Sequence, residues 1–182
     1  NRWVRFEHAG QIGFGTLSGD QVHAHRGDMF GISEATGTVL ALADVKLLSP
    51  SAPTKVIALW NNFHALGAKL NLPVPLEPLY LLKAPNSFSA HGEAIRQPRC
   101  DGKVVFEGEL GIVIGKTCAA VPEAQALDHV FGYTCVNDVT VADILNRDAS
   151  FAQWTRAKGF DTFCPMGPVI ATGLDPATLT AI

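Results

Sequence analysis

Val104-Val105-Phe106-Glu107-Gly108-Glu109-Leu110-Gly111-Ile112-Val113-Ile114-Gly115 sets two acids, separated by one glycine, in a run of Val and Ile where a buried strand ordinarily carries apolar side chains. Successive side chains of a strand alternate faces, so Glu107 and Glu109 are expected to point the same way, with Gly108 leaving the opposite face open. Two like charges in that setting repel and are poorly hydrated. They become tolerable when something positive lies between them, either a metal ion or a fixed Lys or Arg. An acid pair can also be the solvated face of a half-exposed sheet. Here the flanks are apolar at both parities, which predicts burial on both faces. Further along, Phe131-Gly132-Tyr133-Thr134-Cys135-Val136-Asn137-Asp138 is a second strand-like run that delivers a carboxylate at its polar end. Glu107, Glu109 and Asp138, with no paired Cys or His, make an oxygen-only set. Such a set favours a hard cation over Zn²⁺: Mg²⁺ first, with Mn²⁺ or Ca²⁺ as alternatives.

Working outward, residues 55–60 read as a buried-type strand, and Asn61-Asn62 as the cap of a helix over residues 63–70 that carries His64 on its first turn. Pro73, Pro75 and Pro78 make the next stretch a loop. Residues 79–85 form a strand with Lys83 at its exit, either a snorkelling surface cation or the counter-charge of a carboxylate-rich pocket. Short helices are expected over residues 122–129 and 140–146, a loop crowded with polar and aromatic side chains over 150–163, and a last strand over 169–172. Before all of this, residues 3–8, 12–17 and 21–25 alternate between turns at Ala9-Gly10 and Ser18-Gly19-Asp20, the pattern of a β-meander. His23 and His25 share a face there and read as surface residues. Residues 33–42 read as a loop with a short element. A proline-rich linker divides the chain near residue 50, giving a small N-terminal β segment, 1–50, and a main domain, 51–182.

A chain of 182 residues with 47% hydrophobic content can bury a real core. Its net charge of -3 and fourteen scattered Lys and Arg offer no basic stripe for nucleic acid. No apolar run reaches the ~18 to 20 residues of a membrane span, and no signal-peptide pattern opens the chain. The four cysteines lack C-x-x-C spacing, so reduced thiols in a cytoplasmic protein are expected. The sequence begins at Asn1 without Met and stops at Ala181-Ile182 just after the turn-like Thr172-Gly173-Leu174-Asp175-Pro176, so a C-terminally incomplete fragment is expected.

Four stretches together resemble, in order and spacing, motifs of the fumarylacetoacetate hydrolase superfamily. They are Tyr80-Leu81-Leu82-Lys83-Ala84-Pro85; the stretch from Phe106 to Gly115; the stretch from Phe131 to Val139; and Gln153-Trp154-Thr155-Arg156-Ala157-Lys158-Gly159-Phe160-Asp161-Thr162-Phe163. Within that superfamily the wording is most similar to bacterial 2-hydroxyhepta-2,4-diene-1,7-dioate isomerases, also called 5-carboxymethyl-2-hydroxymuconate isomerases, of aromatic-acid breakdown. The resemblance implies a mixed-β (α+β) fold rolled into a sandwich-like barrel with short peripheral helices, and a homodimer. It implies a divalent ion on Glu107, Glu109 and Asp138, with His64 and Lys158 as catalytic residues and Lys83, Gln153 and Thr162 facing the substrate. Two departures stand out. Hydrolase and decarboxylase members commonly carry a glutamate three residues after the histidine, where this chain has Gly67, and a frequent arginine four residues after the metal aspartate is Ala142.

The expected substrate is a 2-oxo acid whose carboxylate and keto oxygen chelate the cation as a pair. The transition state is then an enolate facing the metal, with Lys158 as a second positive group and His64 moving the proton along the conjugated chain. Hydrolysis of a C–C bond or decarboxylation on the same site is the alternative. An inactive binding relative is the second.

Overall fold

The structure, a computed structural model, describes residues 1–179. Ala181 and Ile182, where the sequence stops, lie outside the described residues. Strands β1 (Arg2–His8), β2 (Gln11–Ser18), β3 (Gln21–Gly27) and β4 (Ser33–Ala41) pair antiparallel in sequence order. Ala9 and Gly10, at φ 47° and 76°, make the two-residue β1–β2 turn whose twist matches the flanking strands. Residues 33–42, expected to be mostly loop, form a nine-residue strand instead. Gly37 is accommodated as a bulge at φ 82°, where the pairing slips between His23 and His25, so the glycine bends the strand without ending it.

The remainder follows as β5 (Lys46–Leu47), β6 (Val56–Trp60), α1 (His64–Lys69), β7 (Leu79–Lys83), β8 (Phe88–Ala90), β9 (Val104–Val105) and β10 (Gly108–Ile114). Then come β11 (Val130–Asn137), β12 (Thr140–Val141), α2 (Ala142–Leu145), α3 (Trp154–Lys158), β13 (Cys164–Met166) and β14 (Ile170–Ala171). The architecture is mixed β with a few short helices. A ten-stranded sheet runs β4-β3-β2-β1-β14-β11-β13-β8, with β10 on β11 and β5 on β1, beside two-stranded sheets β12-β9 and β6-β7. The meander is therefore hydrogen-bonded to the main body through β1 and β14, in register Arg2↔Ala171 and Trp3↔Ile170.

Several local expectations change. Residues 140–141 are strand before α2 begins, because Thr140 and Val141 pair with Val105 and Val104. The residues 150–163 expected as loop contain α3. Asn61 does not cap α1: it sits at φ 52° and its side chain donates to the Pro73 carbonyl at 2.9 Å, while Phe63 holds the cap position without a side-chain bond. Burial on both faces of the central strand also fails, since Ile112 and Ile114 are exposed. The buried-type strand at 55–60 is half right. Cross-strand pairs Ile57↔Leu82 and Leu59↔Tyr80 lie on an exposed face of the β6–β7 hairpin, whereas Leu81 and Lys83, on the other face, are buried.

Three apolar clusters hold the fold. Val4, Phe6 and Val22 close the meander, and Trp3, Met29 and Ile170 fill its junction with β14. Val139, Val141, Ile144, Ala157 and Phe163 form the third, between β12, α2 and α3. Each large apolar side chain fully buried this way contributes about 1.5–3 kcal/mol. The third cluster matters most for function, because Val139 is the neighbour of Asp138 and Ala157 the neighbour of Lys158.

Candidate active site

Chain geometry brings polar groups to the rim of that cluster. Asp138 follows the last residue of β11, and its backbone N–H donates to the Glu107 carbonyl at 3.0 Å, continuing the β10–β11 pairing one step further. Gly111 allows that pairing to be close. A Cβ there would meet the Thr134 and Val136 methyls at 2.8 and 2.7 Å, so a larger residue would push β10 off β11. Glu107 itself lies between β9 and β10 rather than inside one strand with Glu109. Its backbone N–H donates to the Asn137 side chain at 3.1 Å, which ties the segment in place.

Two buried ammonium groups organise the acids. Lys83, at the end of β7, donates from Nζ to Asp138 Oδ1 at 2.5 Å, the Phe163 carbonyl at 3.0 Å and the Val139 carbonyl at 3.5 Å. Lys158, at the end of α3, donates to Asp138 Oδ2 at 2.7 Å, Glu107 Oε1 at 2.9 Å and Thr140 Oγ1 at 2.7 Å. The Thr140 hydroxyl also lies 2.6 Å from Glu107 Oε1. Both lysines are only 3% exposed, and an ammonium has three N–H groups to give. Lys83 directs all three at Asp138 and two backbone carbonyls, and Lys158 directs its three at Asp138, Glu107 and Thr140, so both lysines clamp Asp138.

Glu109 is different. Burial first, then the nearby charges of Asp138 and Glu107, push its carboxyl up to about 7, against a smaller opposing pull from Lys158, and no hydrogen bond contributes. Three acids against two lysines leave one negative charge when Glu109 is ionised. Burial also pushes the Cys164 thiol up to about 11, which keeps that neighbour neutral.

The all-oxygen donor set and the uncompensated charge on Glu109 suit a hard divalent cation. Among the described residues no three acid, His or Cys side chains stand together at ligand spacing, because Lys158 draws Glu107 and Asp138 onto itself. Glu107, Glu109 and Asp138 are the residues that would hold such an ion, with Glu109 as the arm lacking any other partner.

The remaining expected residues are placed less centrally. His64 opens α1, exposed, with no hydrogen bond to the lysine–carboxylate cluster. Gln153 makes local bonds: it donates to the Leu145 and Phe151 carbonyls, and its own carbonyl accepts from the Ala157 N–H. Thr162, at φ 67°, accepts the Arg96 backbone N–H on its hydroxyl at 2.8 Å, and its carbonyl accepts from Ser89. It fastens the loop after β8. Thr140 was missed, although its signal was available: Asp138 and Thr140 are two apart in an extended segment and so share a face.

Residues 55–182 match the model of the family described as Fumarylacetoacetate (FAA) hydrolase C-terminal, and residues 1–50 match Rv2993c-like, N-terminal. Protein Rv2993c of Mycobacterium tuberculosis is 44% identical over 153 residues, covering 82% of this chain and 57% of that protein. The structure of 5-carboxymethyl-2-hydroxymuconate delta-isomerase from Mycobacterium smegmatis superposes with a TM-score of 0.87 at 38% identity, covering 97% of this chain and 69% of that one. Maleylpyruvate hydrolase from Sphingobium sp. SYK-6, in complex with manganese(II) and pyruvate, superposes with a TM-score of 0.70 at 25% identity, over 95% of this chain and 67% of that one. Relatives named as oxaloacetate tautomerases also match. The chain spans little over half the length of the curated relatives it matches. Among the described residues no helix is long and apolar enough to cross a membrane.

Proposed function

The chain belongs to the fumarylacetoacetate hydrolase family, whose members are enzymes that include isomerases, hydrolases and tautomerases, and from that premise we propose a divalent-metal-dependent isomerase. Its substrate on this reading is an unsaturated 2-hydroxy or 2-oxo diacid of the 2-hydroxyhepta-2,4-diene-1,7-dioate kind, and the ion is Mg²⁺ or Mn²⁺. The observation that carries the reading is Glu109, an acid pushed up to about 7 beside two lysine-bound acids and lacking a partner of its own. A divalent ion held by Glu107, Glu109 and Asp138 would supply Lewis-acid polarisation of the 2-oxo carbonyl.

The protein's own groups do the rest. Lys158, bonded to both Glu107 and Asp138, stands where negative charge gathers on the substrate oxygen and adds a fixed positive group beside it. Lys83 keeps Asp138 from turning inward or outward. His64 takes the proton from one carbon of the conjugated chain and returns it at another, a task suited to an imidazole, whose ring nitrogens can both accept and donate a proton. What supports that role is its place on α1, directly after the β6 strand that pairs with β7.

Isomerisation is preferred over hydrolysis because of Gly67. A Cβ at this position would already meet Asn61 Oδ1 at 2.9 Å, so the acid that hydrolase members carry there has no room without movement of Asn61. The protein is also proposed to pair as a homodimer, supported by the exposed apolar quartet Ile57, Leu59, Tyr80 and Leu82. Its mass in solution tests this directly.

An ultraviolet assay with Mg²⁺ tests the reaction by offering a conjugated hydroxymuconate, an acylpyruvate and oxaloacetate in parallel. Isomerisation of the first is the expected result. Turnover of the acylpyruvate or oxaloacetate alone would replace it with hydrolysis or decarboxylation. Metal-dependent oxalate binding with no turnover of any substrate would make the protein a binding relative.

A further inference from the structure

We infer that Trp60 and Trp154 form an aromatic wall that receives the flat, unsaturated tail of the substrate. The inference rests on the 2-oxo acid reading above and deepens it by naming the side chains that would receive the tail. Trp60 is the last residue of β6 and Trp154 the first of α3. Their ring centroids are 5.9 Å apart with planes inclined by 59°. Trp154 and Lys158 are four residues apart on α3, so their side chains share a face of that helix. The Lys158 ammonium contacts Glu107 and Asp138, which fixes where the acid head of a substrate must lie. Four residues of helix, ~6 Å of rise, separate the backbone of Trp154 from that of Lys158, and Trp60 pairs with Leu79, four residues or ~13 Å along β7 from Lys83, so the indole pair lies several carbon–carbon bonds beyond that head.

Exposure separates this pair from a purely structural one. Trp3, which packs among Phe14, His25 and Phe131, is 9% exposed, whereas Trp60 keeps 40% of its surface open even though its ring meets Trp154. Fastening β6 to α3 requires the contact but not the open face. A planar conjugated chain or aryl group laid on that face removes apolar surface from water and stacks against indole. A two- or three-carbon acid is too short to reach it.

The test compares pyruvate with benzylidenepyruvate, the same 2-oxo acid head with and without a flat conjugated tail, by calorimetric titration in the presence of Mg²⁺. In the unmodified protein benzylidenepyruvate should bind at least about tenfold more tightly than pyruvate. In Trp60→Leu and Trp154→Leu that ratio should fall toward unity. Quenching of tryptophan emission in the unmodified protein, corrected for absorbance by the ligand, gives a second measure that needs no substitution. Benzylidenepyruvate should quench and pyruvate should not. A ratio near unity in the unmodified protein, a ratio that survives both substitutions, or absence of quenching overturns the wall. Failure of pyruvate to bind at all with Mg²⁺ overturns the 2-oxo acid reading itself, and the wall with it.

Discussion

The inner and outer halves of the polar cluster are built from the same residue types and differ in what satisfies them. On the inner side Asp138, 6% exposed, has one oxygen on Lys83 and the other on Lys158, and the remaining Lys83 donors go to the carbonyls of Val139 and Phe163. On the outer side Glu107 shares Lys158 and Thr140, and Glu109 has no counter-group of its own. A buried carboxylate clamped by ammonium groups is a fixed point. One left half-buried among like charges is a standing demand for positive charge. The difference separates scaffold from chemistry within one cluster of six side chains.

Breaking the inner half should have the largest effect on folding. Lys83→Met leaves Asp138 with an unpaired buried oxygen and should cost about 3–5 kcal/mol, read as a lowered denaturant midpoint. A midpoint like that of the unmodified protein would mean that the clamp is not a fixed point. Breaking the outer half should do the reverse. Glu109→Gln removes the repelled charge, so stability should hold or rise, while affinity for Mg²⁺ falls by about 10²-fold or more. If metal binding were indifferent to this change, Glu109 would lose its assigned role.

The pH dependence sharpens the same contrast. The folded-state pKa of Glu109, about 7, lies above its ordinary 4.5, so the protonated form is favoured in the folded protein. Its contribution to stability is fully present below the ordinary value and is lost as pH rises through about 7. Metal binding has the opposite sign. It needs the ionised carboxylate, so Mg²⁺ affinity should weaken as pH falls below about 7, and Glu109→Gln should abolish both trends. Unfolding and titration series at several pH values check this. The smallest expected effect is that of Thr140→Val, which removes the hydroxyl between Glu107 and Lys158 and should destabilise by about 1–3 kcal/mol.

Much of this was legible in the sequence, for local reasons. The meander was readable because its strands alternate and its turns carry Gly10 and Gly19, which accept positive φ. Glu107, Glu109 and Asp138 stood out as acids in apolar runs, a mismatch that needs no knowledge of the fold. Other features depend on contacts distant in the chain. Lys83 read by default as a surface cation, with a counter-charge as the alternative, and the choice is made by a carboxylate 55 residues away. Residues 33–42 became a strand because β3 offered an edge with which Gly37 could bulge, and no local preference encodes that partner. The helix α3 is only five residues long, too short for its apolar spacing to announce it. His64 makes no hydrogen bond to the cluster among the described residues, so the signal that singled it out is its position in the chain after β6.

The central claim is that Glu107, Glu109 and Asp138 take a divalent ion that in turn grips a 2-oxo acid. Calorimetric titration of Mg²⁺ into the protein, with and without oxalate, tests it most directly. The account predicts one ion per chain, tighter with oxalate present, and loss of both heats in Glu109→Gln. Equal binding by the unmodified protein and Glu109→Gln, or oxalate binding indifferent to Mg²⁺, would contradict it.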